Sequence, residues 1–258
     1  MHQRIGCLIT VRTGSTRLPR KALLKISGYS TIEHVIDRAK TVQGAGAIVL
    51  CTSDDASDTV LEEISARAGI LCFRGSMEDK LARWRGAVEE FGLDYFVTVD
   101  GDDIFCDPEL IEIAIQQVKD NPGIDFLRAP AGLACGAFTY CIKSSALRRV
   151  CEIKGSQHTE MMWVYFTETG LFEVAELNVS DPIFFNNNVR LTLDYPEDLE
   201  FFEAVFAKMS IQTNTVPLRD IIAMLNRCPE ISNINISRQG EFLANQKSKT
   251  NLVLLKGN

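Results

Sequence analysis

The sequence predicts an α/β fold built on a largely parallel sheet flanked by helices, and three observations carry that expectation. Four short apolar runs, at 4–11, 47–51, 70–73 and 95–99, are separated by segments whose apolar residues recur at helical spacing. Strands alternating with helices of this length need crossover connections, which make sequence neighbours parallel. Charge then falls at two particular places. Arg12-Thr13-Gly14-Ser15-Thr16-Arg17-Leu18-Pro19-Arg20-Lys21 follows the first run, and Asp100-Gly101-Asp102-Asp103 follows the fourth. Ligands of parallel sheets bind outside the carboxyl ends of the strands, so both loops belong to one candidate site.

Each element has its own signal. Residues 4–11 read as a buried strand. Ser30 and Glu33 have capping-box spacing ahead of a helix carrying Ile32, Val35 and Ile36. Residues 47–51 form the second strand, and Thr52-Ser53-Asp54-Asp55 can cap the helix bearing Val60, Leu61, Ile64 and Ala68. Residues 70–73 are a third strand and about 77–91 a third helix. After the strand at 95–99, Asp107-Pro108-Glu109 opens a helix with a cap, a proline at N1 and a first-turn acid. Beyond residue 124 we expect strands at 137–142, 171–179 and 190–194, and helices at 144–150, 159–167 and from Pro196 to about Lys208. The chain reads as one domain over 1–238, with its acceptor and dimerisation part near 130–185. A polar tail over 239–258 is expected to be mobile apart from Leu252 to Leu255.

Composition narrows the function. Of 258 residues, 46% are apolar and 24% charged, an ordinary globular mixture, and the formal charge of −7 argues against a broad nucleic-acid or membrane-surface binder. The eight cysteines lack both C-x-x-C spacing and the density of a disulfide scaffold, so reduced thiols and a cytoplasmic location are expected.

The basic loop has what a polyphosphate requires. Gly14 permits close backbone approach, exposed N–H groups can form an anion nest, and Arg and Lys add charge-assisted bonds to phosphate oxygens. It is not a Walker A loop, whose G-x-x-x-x-G-K-[ST] spacing is missing. Asp100, Asp102 and Asp103 repel one another unless a cation or proton relieves them, and magnesium prefers a few carboxylates plus phosphate oxygens. Asp194, at the end of a later apolar run, is a second carboxylate for the same cleft, although Asp194-Tyr195-Pro196 is equally a helix start. Together these features predict a nucleoside triphosphate site with Mg2+.

The opening "RTGSTRLPRKALLKISGYSTIEHVIDRAK" resembles that of the bacterial cytidylyltransferases that activate sugars as CMP derivatives. It is most similar to the spore-coat polysaccharide biosynthesis type, with the CMP-KDO synthetases as cousins. "FRGSMEDKLARW" at 73–84, "VTVDGDDIFCDPELI" at 97–111, "HTEMMWVYFTETGLFEV" at 158–174 and "RLTLDYPEDLEFF" at 190–202 agree in order, to about residue 238. The resemblance implies a nucleotide-diphospho-sugar transferase fold, with a mixed, mostly parallel sheet and a small arm for a homodimer. It implies transfer of CMP from CTP to a small acidic sugar. Arg12, Ser15, Arg17 and Lys21 would then hold the CTP phosphates, with Thr13, Gly14 and Thr16 of the same loop. Thr52, Asp54, Arg74 and Ser76 fall where cytosine and ribose are recognised, and Asp100 and Asp194 would bind magnesium. Asp102, Tyr140, His158 and Glu160 are the acceptor candidates. Trp163, Tyr165 and Phe166 wall that pocket or belong to the core or dimer interface.

Two departures stand out. Arg20 replaces the glycine of the family's S-T-R-L-P-G-K loop, and residues 130–142 are more apolar than the family's acidic "G-x-D-x-E" region. Two other readings stay open. Asp100-Gly101-Asp102 also matches the D-x-D metal motif of glycosyltransferases, and a non-catalytic nucleotide-binding protein could keep the same fold.

Overall fold

The computed structural model describes residues 3–255. In chain order, β1 (Ile5–Thr10) leads through the basic loop to a hairpin, β2 (Lys25–Ile26) and β3 (Tyr29–Ser30). Then come α1 (Thr31–Thr41), β4 (Ala47–Ser53), α2 (Thr59–Ala68), β5 (Leu71–Gly75), α3 (Lys80–Glu90), β6 (Tyr95–Asp100) and α4 (Pro108–Asp120). The second half comprises β7 (Phe126–Arg128), β8 (Tyr140–Lys143), α5 (Ser144–Ile153), α6 (Val164–Thr167) and β9 (Val174–Glu176). It ends with α7 (Pro196–Lys208), α8 (Leu218–Arg227), α9 (Pro229–Ser232) and α10 (Gln239–Lys249).

Seven strands form one sheet in the order β5-β4-β1-β6-β8-β7-β9. β5, β4, β1 and β6 are mutually parallel, while β8 runs antiparallel to both of its neighbours. The sheet is therefore mixed but mostly parallel, as expected. Both faces are covered, which is why β1 reads as an unbroken apolar run instead of alternating. Ile5, Cys7 and Ile9 pack on the layer containing α1, α4, α7 and α8, and Leu8 packs on the opposite layer of α3, α5 and α6.

Caps fix the helix starts. Ser30 and Glu33 close a capping box, the Ser30 N–H donating to Glu33 Oε2 at 2.8 Å. Asp107 accepts from the N–H groups of Glu109 and Leu110 at 2.7 and 3.2 Å, with Pro108 at N1. Asp79 accepts from the Ala82 N–H, so the third helix starts at Lys80 and not at Met77. Every cysteine is a free thiol, and Cys7, Cys51, Cys106 and Cys141 are buried.

The second half departs from expectation for identifiable reasons. The strand expected at 137–142 begins only at Tyr140, after Gly136 turns the chain at φ +88°. Residues 190–194 form no strand. The N–H groups of Leu191 and Leu193 donate to loop carbonyls of Cys135 and Asp102, at 2.8 and 2.9 Å. The strand expected over 171–179 is confined to Val174–Glu176 on β7, and the helix expected over 159–167 to Val164–Thr167. Thr159 is instead occupied in the core, accepting from Leu81 N–H and donating to Asp79. The tail is ordered as α10, and Leu252 and Leu254 pack against the α3/α5 layer; residues 256–258 lie outside the described residues. No helix among the described residues is long and apolar enough to cross a membrane.

Candidate active site

β1 and β6 are neighbours in register, Thr10 opposite Asp100, so the basic and acidic loops leave the sheet side by side. Gly101 is required at this junction. Its N–H donates to Thr10 O at 2.9 Å, and a Cβ there would lie 2.6 Å from Val11 Cβ. The basic loop is anchored by a residue that sequence reasoning missed. Asp58 Oδ1 accepts from the Thr13 N–H and Oγ1 at 2.7 and 2.6 Å, and its Oδ2 accepts from Thr52 Oγ1 at 3.0 Å and from Ser53. Burial pushes the Asp58 carboxyl up, but these hydrogen bonds outweigh it and hold it below the ordinary value. In the sequence Asp58 is indistinguishable from a helix cap, one acid in a run of several.

Arg20 is exposed and has φ +53°, a left-handed conformation that glycine adopts without penalty. It does not line the site, so the extra charge serves no phosphate grip. Arg20→Gly is therefore expected to leave turnover unchanged. Relief of the left-handed backbone outweighs the entropy of the added glycine, raising stability by up to about 1 kcal/mol in urea unfolding.

The loops border a cavity of about 560 Å3 in which charges alternate. Arg17 pairs with Asp194, and Lys21 Nζ lies 2.5 Å from Asp102 Oδ2 and 2.9 Å from Asp194 Oδ1. Lys80 Nζ is 3.3 Å from Asp100 Oδ1, and Arg12 Nη2 is 2.8 Å from Glu160 Oε2. Asp194 Oδ2 accepts from Arg190 Nη2 at 3.2 Å. Burial pushes Asp194 up, yet Lys21 and Arg17 hold it down at about 2. Asp102 and Asp103 go the other way. Burial raises both, Lys21 only partly offsets the rise at Asp102, and Asp102 and Asp100 push Asp103 well above the carboxylate range. The cavity lining holds six cations, Arg12, Arg17, Lys21, Lys80, Arg83 and Lys249, against five carboxyls.

Of the residues predicted from sequence, Arg12, Gly14, Ser15, Thr16, Arg17, Lys21, Asp100, Asp102, Tyr140, Glu160 and Asp194 line this cavity. Thr13 and Thr52 do not; their hydroxyls are held by Asp58. Asp54, Ser76 and Arg74 also lie off it, Arg74 donating to the carbonyls of Ser53 and Asp55 and pairing with Glu62. His158 is exposed and pairs with Glu78. Trp163 lines the cavity, whereas Tyr165 and Phe166 are core, Phe166 stacked on Phe126 with centroids 4.7 Å apart. Lys80, Arg83, Thr139 and residues of α10 also line it and were not anticipated. Lys80 sits in the first turn of α3, where a lysine carries no signal of its direction.

Hard carboxylate oxygens suit Mg2+. Asp100 is held only loosely, by Lys80 and by Thr139 Oγ1 at 3.5 Å, which leaves its oxygens accessible. Among the described residues no three Asp, Glu, His or Cys side chains form a ready metal cage.

Comparison with known proteins gives the family and the fold. Residues 6–153 match the family profile described as cytidylyltransferase. The chain is 29% identical over 231 residues to the spore coat polysaccharide biosynthesis protein SpsF of Bacillus subtilis, covering 86% of this chain and 94% of that protein. It is 27% identical over 132 residues to an Escherichia coli 3-deoxy-manno-octulosonate cytidylyltransferase, about 51% of each chain. A solved cytidylyltransferase from Leptospira borgpetersenii superposes with a TM-score of 0.81 at 25% identity, covering 89% of this chain and 97% of the other. A CMP:2-keto-3-deoxy-manno-octonic acid synthetase complexed with CTP shares the fold, with a TM-score of 0.62 at 18% identity and coverage of 80% and 100%. With a family match over more than half its length, this chain belongs to the cytidylyltransferase family and is a nucleotidyltransferase.

Proposed function

We propose that the protein transfers CMP from CTP to a small acidic sugar, releasing pyrophosphate, in the biosynthesis of a surface polysaccharide or related glycan. The observation that carries this reading is the facing of Arg12, Arg17 and Lys21 against Asp100, Asp102 and Asp194 across one cavity. A triphosphate brings more negative charge than a sugar nucleotide, and a grip of three cations suits the former better than the D-x-D glycosyltransferase alternative. The relatives named for 3-deoxy-manno-octulosonate support an acidic acceptor.

The roles follow from position. The exposed backbone at Gly14 to Thr16 receives phosphate oxygens, and Arg12, Arg17 and Lys21 neutralise charge building on the leaving pyrophosphate. In the resting site these cations are paired with carboxylates, so they are already positioned and the incoming phosphates take over their hydrogen bonds. Asp100 and Asp194 would hold Mg2+, which when bound polarises the α-phosphate and lowers the pKa of the attacking hydroxyl. Arg190 orients Asp194 from behind.

The test is pyrophosphate release with each NTP, Mg2+ and a panel of 2-keto sugar acids. Release is expected with CTP alone among the nucleotides and only when a sugar acid is present. Equal release with UTP or ATP, or turnover of a preformed nucleoside diphosphate sugar, would overturn the reading.

A further inference from the structure

α10 turns an unusual face toward the protein. Gln239, Phe242, Leu243, Gln246 and Lys249 recur at the spacing of a single helix face, and all of them line the cavity. A helix docked on a core presents an apolar stripe there. This stripe is half polar, and α10 contains no buried residue. The helix is nonetheless fastened at both ends. Arg190 Nη1 donates to Gln239 Oε1 at 3.0 Å and stacks over Phe242 at 4.4 Å, and Arg238 pairs with Glu197 at 2.7 Å. Beyond its other end, Leu255 N–H donates to Ile153 O at 2.9 Å and Gly155 N–H to Val253 O at 2.7 Å. The segment is therefore a strap across the mouth of the site, tied to the α7 side at one end and to the α5 side at the other.

What the strap presents inward is chemically specific. Arg12, Arg17, Lys21 and Lys80 are each paired with an acid, and Arg83 donates to the carbonyls of Ser76 and Met77. Lys249 and the carboxamides of Asn245 and Gln246 line the same cavity without a side-chain hydrogen bond or ion pair among the described residues. Phe138, Tyr140 and Trp163 line the same cavity and also a second hollow of about 400 Å3. Three aromatic rings in one cavity with two amides and an ammonium, whose acidic neighbour Glu160 already pairs with Arg12, suit a carboxylated, polyhydroxylated ring.

We propose that the inward face of α10 is the acceptor-recognition wall, with Lys249 pairing the carboxylate of the acidic sugar and Asn245 and Gln246 its hydroxyl or acyl groups. This rests on the function proposed above and assigns specificity to a segment outside the family-matched residues 6–153.

The experiment uses the full chain with CTP, Mg2+ and 3-deoxy-manno-octulosonate or its 1-methyl ester, comparing wild type with K249M and K249R. K249M is expected to raise KM for the free acid by ~10-fold or more, the effect of losing one charge-assisted contact. KM for the methyl ester and the Kd for CTP, by calorimetry, should stay within about two-fold, and K249R should restore most of the loss. Unchanged KM for the acid in K249M, or an equal weakening of CTP binding, overturns the assignment while leaving the proposed activity standing. Failure of wild type to use any sugar acid instead overturns the proposed function, and this assignment with it. Thermal unfolding checks that K249M, a change at an exposed side chain, keeps the fold.

Discussion

Asp100→Ala is expected to lower CTP-dependent pyrophosphate release by about 10^3-fold or more while leaving the folded protein intact, because it removes a charge aimed at the reacting phosphate. The two halves of that expectation have separate causes. Asp100 ends β6 at the cavity, and its ion-pair partner is Lys80, a mostly buried lysine that truncation would leave without that pair. Lys80 lies 3.3 Å away and retains a cation–π contact with Trp84, and Thr139 is 3.5 Å away. Stability should therefore fall by about 1–3 kcal/mol, short of unfolding the protein. Asp194 is a poorer probe of chemistry. Its two oxygens serve Arg17, Lys21 and the fully buried Arg190, so Asp194→Ala would strip a shared acceptor from three cations, Arg190 keeping Asp198 and Lys21 keeping Asp102, and would disturb the fold together with the chemistry. Pyrophosphate release measured beside circular dichroism and thermal unfolding separates the two effects. Turnover within ten-fold of wild type would remove Asp100 from the metal assignment.

The first half of the fold was legible because there local and global signals coincide. Buried parallel strands give unbroken apolar runs, and Ser30, Glu33, Asp107 and Pro108 mark helix starts by local chemistry. From Gly136 onward, tertiary partners override local pattern. Residues 190–194 look like a strand, yet their backbone groups bond to the loops at Cys135 and Asp102. The site was legible where its chemistry is concentrated in loops, at 12–21 and 100–103. It was not where a single side chain from a distant element completes it. Lys80 and Lys249 carry no local signature, and Asp58 works by holding Thr13 from 45 residues away. The polar tail composition predicted mobility because α10 has no core stripe, and that missing stripe is what faces the cavity.

Lys21→Met is expected to have the largest combined effect, on both stability and binding. Lys21 is mostly buried and is the cation nearest both Asp102 and Asp194. Burial pushes its pKa down, but Asp102 and Asp194 reverse that and raise it, so it stays charged throughout the working range. Methionine fills the volume and removes the charge. Asp194 keeps Arg17 and Arg190, whereas Asp102 loses its ion-pair partner beside Asp100 and Asp103. Truncating one member of such a buried group costs about 3–5 kcal/mol at neutral pH. The pH dependence has a definite sign. Asp102 and Asp103 are raised in the folded protein, so the folded state binds protons more readily than the unfolded chain. Their charge therefore opposes folding increasingly as pH rises above the ordinary carboxylate value, and Lys21→Met raises Asp102 further. Asp194, held at about 2, contributes in the opposite sense, and its stabilisation is lost only as pH falls from its ordinary value toward 2. Between pH 7.5 and 5 the Asp102 and Asp103 effect governs, so the deficit of the variant against wild type in urea unfolding should shrink as the pH is lowered. CTP binding should not recover with it, because protonating Asp102 restores the balance of charge but not the cation that meets the phosphates. A variant equally impaired in stability at both pH values would mean that Lys21 does not compensate these carboxylates. Recovery of CTP affinity at pH 5 would mean that the lysine serves the fold and not the nucleotide.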